Sequence, residues 1–245
     1  MPDILADTVL LTGSNRGIGL EYVRQLHGRV DTLYATCRRP DAATELTAIA
    51  EAHPETVQVL PLDVADPASI ETMGEIIGQD TGHLDLLINN AGVNGGGSSD
   101  RFGSVDAETM MHTLRVNTVG PHLLVQAVAD LLRRGGQRET GRPARVVNVT
   151  SQLGSIANTN GGTWQSYKAS KAALNMCTRL QHGALHGDGV CVISLHPGWV
   201  QTDMGGSNAR LTPEAAVSGM IDVIENLTGE DGGRFLTHSG DELPW

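Results

Sequence analysis

The chain is poor in aromatic residues and in cysteine, and it has no long apolar run. Aromatic side chains make up 3% of its 245 residues. No stretch of about 18 consecutive apolar residues occurs, so we expect no membrane-spanning helix. Its cysteines, Cys37, Cys177 and Cys191, are far apart and form no CxxC pair. This argues against a disulfide framework and a zinc site, and indicates reduced packing residues. Since the first residues also lack the pattern of a signal peptide, we expect a cytoplasmic location.

Basic residues are also few, because 17 Lys and Arg face 28 Asp and Glu, for a net charge of −11. Only two of the basic residues are lysines, Lys168 and Lys171. A surface this acidic repels phosphodiester backbones, so nucleic acid is not an expected partner. Nine histidines include no HExxH motif, so no metal site is expected.

Short apolar runs recur along the chain and alternate with segments of helical periodicity. The runs lie at residues 9–11, 33–37, 57–60, 84–88, 146–149, 190–195 and 234–236. Such a pattern is typical of buried parallel strands. It predicts an α/β fold, a Rossmann-like doubly wound sheet of about seven strands with helices on both faces. No stretch resembles an interdomain linker, so residues 1–245 are expected to form one domain. Polar loops are expected at 94–99 and 133–143.

A glycine-rich turn follows the first predicted strand. The residues of this turn are Gly13, Ser14, Asn15, Arg16, Gly17, Ile18 and Gly19. Glycines between a strand and a helix let the backbone approach a pyrophosphate, which then lies at the positive end of the helix. The spacing G-x-x-x-G-x-G differs from the usual G-x-G-x-x-G, and a simple tight turn is the alternative.

The second predicted strand ends in Arg38 and Arg39, with no carboxylate before Asp41. In such folds this strand end contacts the adenosine ribose, where an arginine favours a 2′-phosphate. Arg16 lies in the glycine turn on the same side, so the three guanidinium groups predict NADP(H) as cofactor. The alternative is that these arginines are ordinary solvated surface residues.

The next two strand ends carry short polar and small residues, which are expected where adenine and ribose would lie. They are Asp63 and Val64 after the third strand, and Asn90, Ala91 and Gly92 after the fourth.

Ser151, Tyr167 and Lys171 carry the strongest chemical signal. Tyr167 and Lys171 are spaced i and i+4 at the start of an apolar helix, so they share one face. A nearby ammonium is expected to lower the pKa of a tyrosine, which suits a proton donor to a carbonyl. Ser151 follows the fifth strand and could hydrogen-bond the same substrate oxygen. Taken alone, Ser151 could be a cap and the Tyr–Lys spacing a common helical pair.

The order of these motifs resembles the short-chain dehydrogenase/reductase family. It comprises TGxxxGxG from Thr12, NNAG from Asn89, then Asn117, Ser151, YxxxK from Tyr167, and Pro197-Gly198. The segments 154–156, 170–175, 196–206 and 243–245 resemble more narrowly the C-factor/sniffer branch, whose members are NADPH-dependent carbonyl reductases.

The resemblance implies a role for each matching residue. It implies a catalytic tetrad of Asn117, Ser151, Tyr167 and Lys171. Tyr167 and Lys171 would also bind the cofactor, with Lys171 holding the nicotinamide ribose. Asp63 and Val64 would contact adenine, and residues 90–92 the centre of the cofactor. The segment from Pro197 to Thr202, with Gly198 and Val200, would contact the nicotinamide amide.

The implied activity is NADPH-dependent reduction of a ketone, aldehyde or quinone by a homodimer or homotetramer. Two alternatives remain open. One is an NADP(H)-binding sensor or signalling protein on the same scaffold. The other is a ketoacyl reductase or an alcohol dehydrogenase.

Ser151 and Tyr167 are further apart than in many members of the family, because the loop at 157–163 is longer. We expect this loop to bulge outward beside the substrate and to affect the shape of the site. Trp164 and Trp199 flank the expected site. Each could pack against the protein or contact the substrate, and the sequence favours neither role.

Pro121 interrupts an apolar helix expected from Asp106 to Leu132. Because proline has no N–H, the carbonyl of Asn117 loses its helical partner, and a kink is expected. The freed carbonyl could hold a water that links Lys171 to solvent. The alternative is that the proline merely bends the helix around the sheet.

Overall fold

The computed structural model describes residues 5–245, which form one seven-stranded parallel sheet. The strands are β1 (Ala6–Thr12), β2 (Val30–Cys37), β3 (Val57–Pro61), β4 (Leu86–Asn89), β5 (Ala144–Val149), β6 (Val190–His196) and β7 (Phe235–Thr237). Their spatial order is β3-β2-β1-β4-β5-β6-β7. The absence of a signal-peptide pattern was judged partly on residues 1–4, and these lie outside the described residues.

Eight α-helices flank the sheet within the described residues. They are α1 (Gly17–Leu26), α2 (Thr44–Ala52), α3 (Pro67–Asp80), α4 (Ala107–Leu114), α5 (Gly120–Ala127), α6 (Ala129–Gly136), α7 (Gln165–Leu185) and α8 (Pro213–Glu225). No described helix is long and apolar enough to cross a membrane.

Two apolar cores lie on opposite faces of the sheet. One core joins the strands to α1, α2 and α8, and the other joins them to α3, α5 and α6. The strands contribute side chains to both cores, which is why they appear in the sequence as nearly continuous apolar runs. The predicted doubly wound fold is confirmed.

The strand order reverses between β1 and β4, and this reversal positions the site. From β1 the chain proceeds outward to β2 and β3, then returns to place β4 on the other side of β1. At such a switch point the loops beyond the carboxyl ends of the strands diverge and leave a crevice. The glycine turn and residues 90–92 follow the two strands that flank it.

The helix expected between residues 106 and 132 is interrupted. A π turn at Arg115–Val119 separates α4 from α5, and the N–H of Gly120 bonds the carbonyl of Arg115. Pro121 follows within the first turn of α5. The expected irregularity is therefore present as a wide turn, and α6 continues the segment to Gly136. The prediction of a loop from residue 133 was wrong, because residues 133–136 are helical.

Candidate active site

A cleft of about 1430 Å³ opens at the carboxyl ends of the strands. This volume exceeds the roughly 300–1,000 Å³ of a drug-sized site, so it accommodates a dinucleotide and a second small molecule. Nearly all predicted cofactor residues line it, namely Gly13, Asn15, Arg16, Gly17, Ile18, Gly19, Arg38, Arg39, Asp63, Val64, Asn90, Ala91, Gly92, Tyr167, Lys171, Pro197, Gly198, Val200 and Thr202.

Ser14 is the predicted cofactor residue that does not line the cleft. Its side chain is fully buried, and its hydroxyl donates to the carbonyl of Leu11 at 3.1 Å. Its N–H donates to the carbonyl of Thr36 at 2.9 Å. Ser14 therefore ties the glycine turn to β1 and β2 from beneath, and its predicted contact with the cofactor is not supported.

The glycine turn needs small residues because the chain folds tightly onto itself. Gly13 has a φ of 70°, and a Cβ on Gly19 would lie 2.0 Å from the carbonyl oxygen of Gly13. The amide of Asn90 donates to the carbonyls of Thr12 and Gly13, at 2.9 and 3.2 Å. The turn is thereby fixed to the end of β4, with the N-terminus of α1 facing the cleft, where a pyrophosphate would be stabilised.

The three predicted phosphate-binding arginines differ in whether their side chains already have a partner. Arg38 and Arg39 are exposed after β2, and neither side chain has a partner among the described residues. Arg16 forms an ion pair across the cleft with Asp203, at 2.9 Å. Arg38 and Arg39 are therefore available to an anionic ligand, whereas Arg16 would first have to leave Asp203.

Ser151, Tyr167 and Lys171 come together at the centre of the cleft. Ser151 follows β5, and the other two lie on the first turns of α7. The Lys171 Nζ lies 5.7 Å from the centroid of the Tyr167 ring and donates to the carbonyl of Val149 at 2.8 Å. The Ser151 hydroxyl also accepts the N–H of Leu153 at 3.1 Å, so its capping role and its place in the site coexist.

Burial changes the pKa values of Tyr167 and Lys171. It raises the pKa of Tyr167 to about 12, although a hydrogen bond with Ser151 acts in the opposite direction. It also lowers the pKa of Lys171 to about 8. Desolvation of the phenolate thus acts against the lowering of the Tyr167 pKa that was expected from the nearby ammonium, and that lowering stays a prediction. Tyr167 accordingly holds its proton at neutral pH, as a proton donor must.

Asn117 is buried on the π turn and positions the loop after β4. Its amide accepts the N–H of Val93 and donates to the carbonyl of the same residue, both at 2.8 Å. It also donates to the hydroxyl of Ser170 at 3.0 Å. A Cβ on Gly92 would lie 3.3 Å from the Asn117 Oδ1 and 3.7 Å from the Lys171 Nζ. Asn117 therefore stands close to the Lys171 ammonium, and the water relay from its carbonyl stays a prediction.

The sequence reasoning missed His196, which ends β6 and lines the cleft. Burial, together with the nearby His238, lowers the pKa of His196 to about 4, so its imidazole is neutral at physiological pH. Its position directly before Pro197, at the carboxyl end of a strand, is the signal that could have identified it.

Comparisons with known proteins agree with this geometry. The family model for short chain dehydrogenases matches residues 7–211. The C-signal protein of Myxococcus xanthus is 45% identical over 166 residues, covering 67% of this chain and 95% of that protein.

Two solved carbonyl reductases share the fold over nearly the whole chain. The NADPH-bound enzyme from chicken fatty liver has 37% sequence identity and a TM-score of 0.90, covering 98% of this chain and 99% of that one. The Sniffer enzyme of D. melanogaster has 32% identity and a TM-score of 0.92, covering 98% of this chain and 100% of that one.

Proposed function

The chain belongs to the short chain dehydrogenase family, and we propose that it is an NADPH-dependent reductase of ketones, aldehydes or quinones. One observation carries the proposal. Tyr167 faces, with Ser151 and Lys171, the same cleft as the glycine turn and the two unpaired arginines. A binding protein without turnover has no use for a tyrosine–lysine pair beside the cofactor cleft. The two carbonyl reductases support the same interpretation.

The residues that line the cleft suit NADP(H). The glycine turn offers the close approach and the helix N-terminus that a pyrophosphate requires. Arg38 and Arg39 stand where a 2′-phosphate would lie, and charge-assisted hydrogen bonds from arginine to phosphate are strong. When bound, NADPH supplies the hydride.

The protein's own groups would bind the substrate oxygen and provide the proton. Ser151 donates a hydrogen bond to the carbonyl oxygen and polarises it. Tyr167 delivers its hydroxyl proton to that oxygen as general acid. Lys171 stabilises the phenolate left behind by its positive charge. With a pKa of about 12, Tyr167 is protonated at neutral pH and therefore has the proton that a general acid must donate.

The direct test follows the loss of NADPH absorbance with a panel of aldehydes, ketones and quinones. We expect turnover with at least one of these classes, and a slower reaction with NADH. NADPH binding without any turnover would instead favour the sensor or signalling alternative. Turnover confined to alcohols with NADP⁺ would favour the dehydrogenase alternative.

The proposed role of Lys171 predicts a pH dependence. Below pH 8 its ammonium is charged, and above this value the charge is lost. Because the neutral amine cannot stabilise a phenolate, kcat/KM for reduction should fall as the pH rises through about 8. The steady-state rate measured from pH 6 to pH 10 checks this.

The other lysine of the chain is the matched control for the pH profile. Lys168 donates to the carbonyl of Gly161, away from the phenol. Lys168→Ala should therefore leave the fall of kcat/KM at the same pH as in the unmodified protein. A rate that stays level up to pH 10 would contradict the assignment.

The expected homodimer or homotetramer stays a prediction. Four exposed apolar side chains lie on the neighbouring elements α4, the π turn and α7. They are Met111, Val119, Met176 and Leu180. A twofold axis through this face would bury the same patch of both copies. We expect a dimer or tetramer by light scattering, and a shift towards monomer for Leu180→Glu. Monomeric wild-type protein at micromolar concentration would refute it.

A further inference from the structure

Trp164 has an unusual backbone conformation directly before the catalytic helix. Its φ of 65° and ψ of 37° are left-handed, and it is the one residue other than glycine with a positive φ between residues 5 and 245. Bulky residues rarely adopt this conformation, and it persists where the surrounding structure imposes it.

Asp100 imposes the conformation from a separate loop. Its carboxylate accepts the N–H of Ser166 at 2.6 Å, and its carbonyl accepts the N–H of Gln165 at 3.2 Å. The residue before α7, Trp164, supplies no side-chain cap in the described structure. Asp100, which is 4% exposed, therefore satisfies the free N–H groups at the start of α7 in place of a local cap. The next residue, Arg101, also pairs with Thr163 in an antiparallel bridge.

The left-handed turn directs the Trp164 ring towards the reacting centre. The ring lines the cleft, and its centroid lies 6.1 Å from that of Tyr167 with the planes at 74°. This is an edge-to-face arrangement, which aromatic rings prefer. The exposed residues 157–162 lie outside the cleft lining, so the long loop acts on the cleft through the tryptophan at its end.

The cleft that this ring lines also has apolar lining residues. They include Val93, Leu153, Trp199 and Met204. The ammonium of Lys171 lies 5.7 Å from the centroid of the Tyr167 ring and already donates to the carbonyl of Val149. The arginines lie instead in the glycine turn, on α1 and after β2. Arg16, which reaches Asp203 beside Met204, and Lys171 both already have partners, so a carboxylate or phosphate on the substrate would have to displace these partners.

Building on the proposed reductase function, we propose that Trp164 is a specificity-determining residue that selects uncharged carbonyl compounds carrying an aromatic group. An aromatic ring of the substrate packs against the indole while its carbonyl oxygen meets Tyr167 and Ser151. Asp100 is a positioning residue for this selection, because it holds the backbone turn that presents the indole.

The test compares kcat/KM for an uncharged aryl ketone with that for a short aliphatic aldehyde. Trp164→Gly removes the ring and leaves a residue that adopts positive φ freely, so the turn and its bonds to Asp100 survive. The preference for the aryl ketone should fall about tenfold, as the loss of an aromatic contact implies. Trp164→Phe should keep most of the preference.

The matched control is Phe102→Ala. Phe102 lies two residues after Asp100, is 93% exposed and does not line the cleft. Its replacement should leave the ratio of the two kcat/KM values unchanged.

Asp100 is tested by the pair Asp100→Asn and Asp100→Ala. The amide oxygen of asparagine can still accept the N–H of Ser166, so Asp100→Asn should retain the preference. Asp100→Ala should raise KM for the aryl ketone while kcat for the aliphatic aldehyde changes little. A purely structural role would instead lower the melting temperature and both rates together. If Asp100→Ala does not fold, the Trp164 variants still decide the proposal.

The failure of this proposal differs from the failure of the reductase function. If Trp164→Gly reduces both carbonyls with an unchanged ratio, or if an aryl carboxylate substrate is preferred to the neutral one, the proposal is wrong while the reductase stands. If the unmodified protein consumes no NADPH with any carbonyl, the reductase function itself is wrong.

Discussion

Tyr167→Phe is expected to lower kcat for carbonyl reduction by about 10²–10⁴-fold, the contribution of a well-placed general acid. The phenyl ring retains the shape of the side chain and loses only the hydroxyl that delivers the proton. NADPH should still bind with nearly unchanged affinity, because the glycine turn and Arg38 are untouched. The measurement is NADPH consumption at saturating carbonyl, together with a dissociation constant from NADPH fluorescence.

The control for this variant is Tyr34→Phe. Tyr34 lies on β2, its hydroxyl bonds Asp80 at the end of α3, and it does not line the cleft. Its replacement also removes one phenolic hydroxyl, but kcat should stay close to the wild-type value. Substantial turnover by Tyr167→Phe would contradict the proton-donor role.

Arg38→Asp is expected to invert the cofactor preference or erase it. Loss of a charge-assisted contact with the 2′-phosphate costs about 1.5–3 kcal/mol, or roughly tenfold to a hundredfold in affinity. The new carboxylate also repels the phosphate, and it can accept hydrogen bonds from the free ribose hydroxyls of NADH. The ratio of kcat/KM for NADPH and NADH, compared between wild type and variant, measures the change.

Arg16→Ala is the informative comparison for Arg38→Asp. Because Arg16 is held by Asp203 across the cleft, its removal should affect the cofactor ratio less than the change at Arg38. Equal kcat/KM values for NADPH and NADH in the unmodified protein would rule out the assignment of Arg38.

The positions of the strands along the chain could be predicted because buried parallel strands leave a strong apolar pattern. Residues 190–195 and 146–149 are mostly apolar and are buried throughout, and both lie inside β-strands. The polar composition of residues 133–136 misled the assignment at the end of α6. There, two arginines and two glycines fill a last helical turn whose Gly135 packs against Leu84. Such contacts with distant segments, which include the ion pair of Arg133 with Asp188, cannot be read from the local sequence.

The site could be predicted where its residues follow strand ends or share a helix turn. Tyr167 and Lys171 belong to this class, since local spacing alone puts them on one face. The pKa of Tyr167 could not be predicted in this way, because it depends on how much protein surrounds the phenol. Asp100 is the clearest case of a missed residue. Its contact with Ser166 bridges 66 positions of the chain, and no local pattern marks it.

The number of residues in the π turn at Arg115–Val119 determines where Asn117 lies in the site. Its i to i+5 bond encloses one residue more than an α-helical turn does. Deletion of one residue there would let α4 and α5 join as a regular helix and keep their packing faces. The amide of Asn117 would then lose the position from which it bonds Val93 and Ser170. An insertion or deletion in this turn is therefore expected to disturb the site more than a side-chain substitution that keeps the length of the chain.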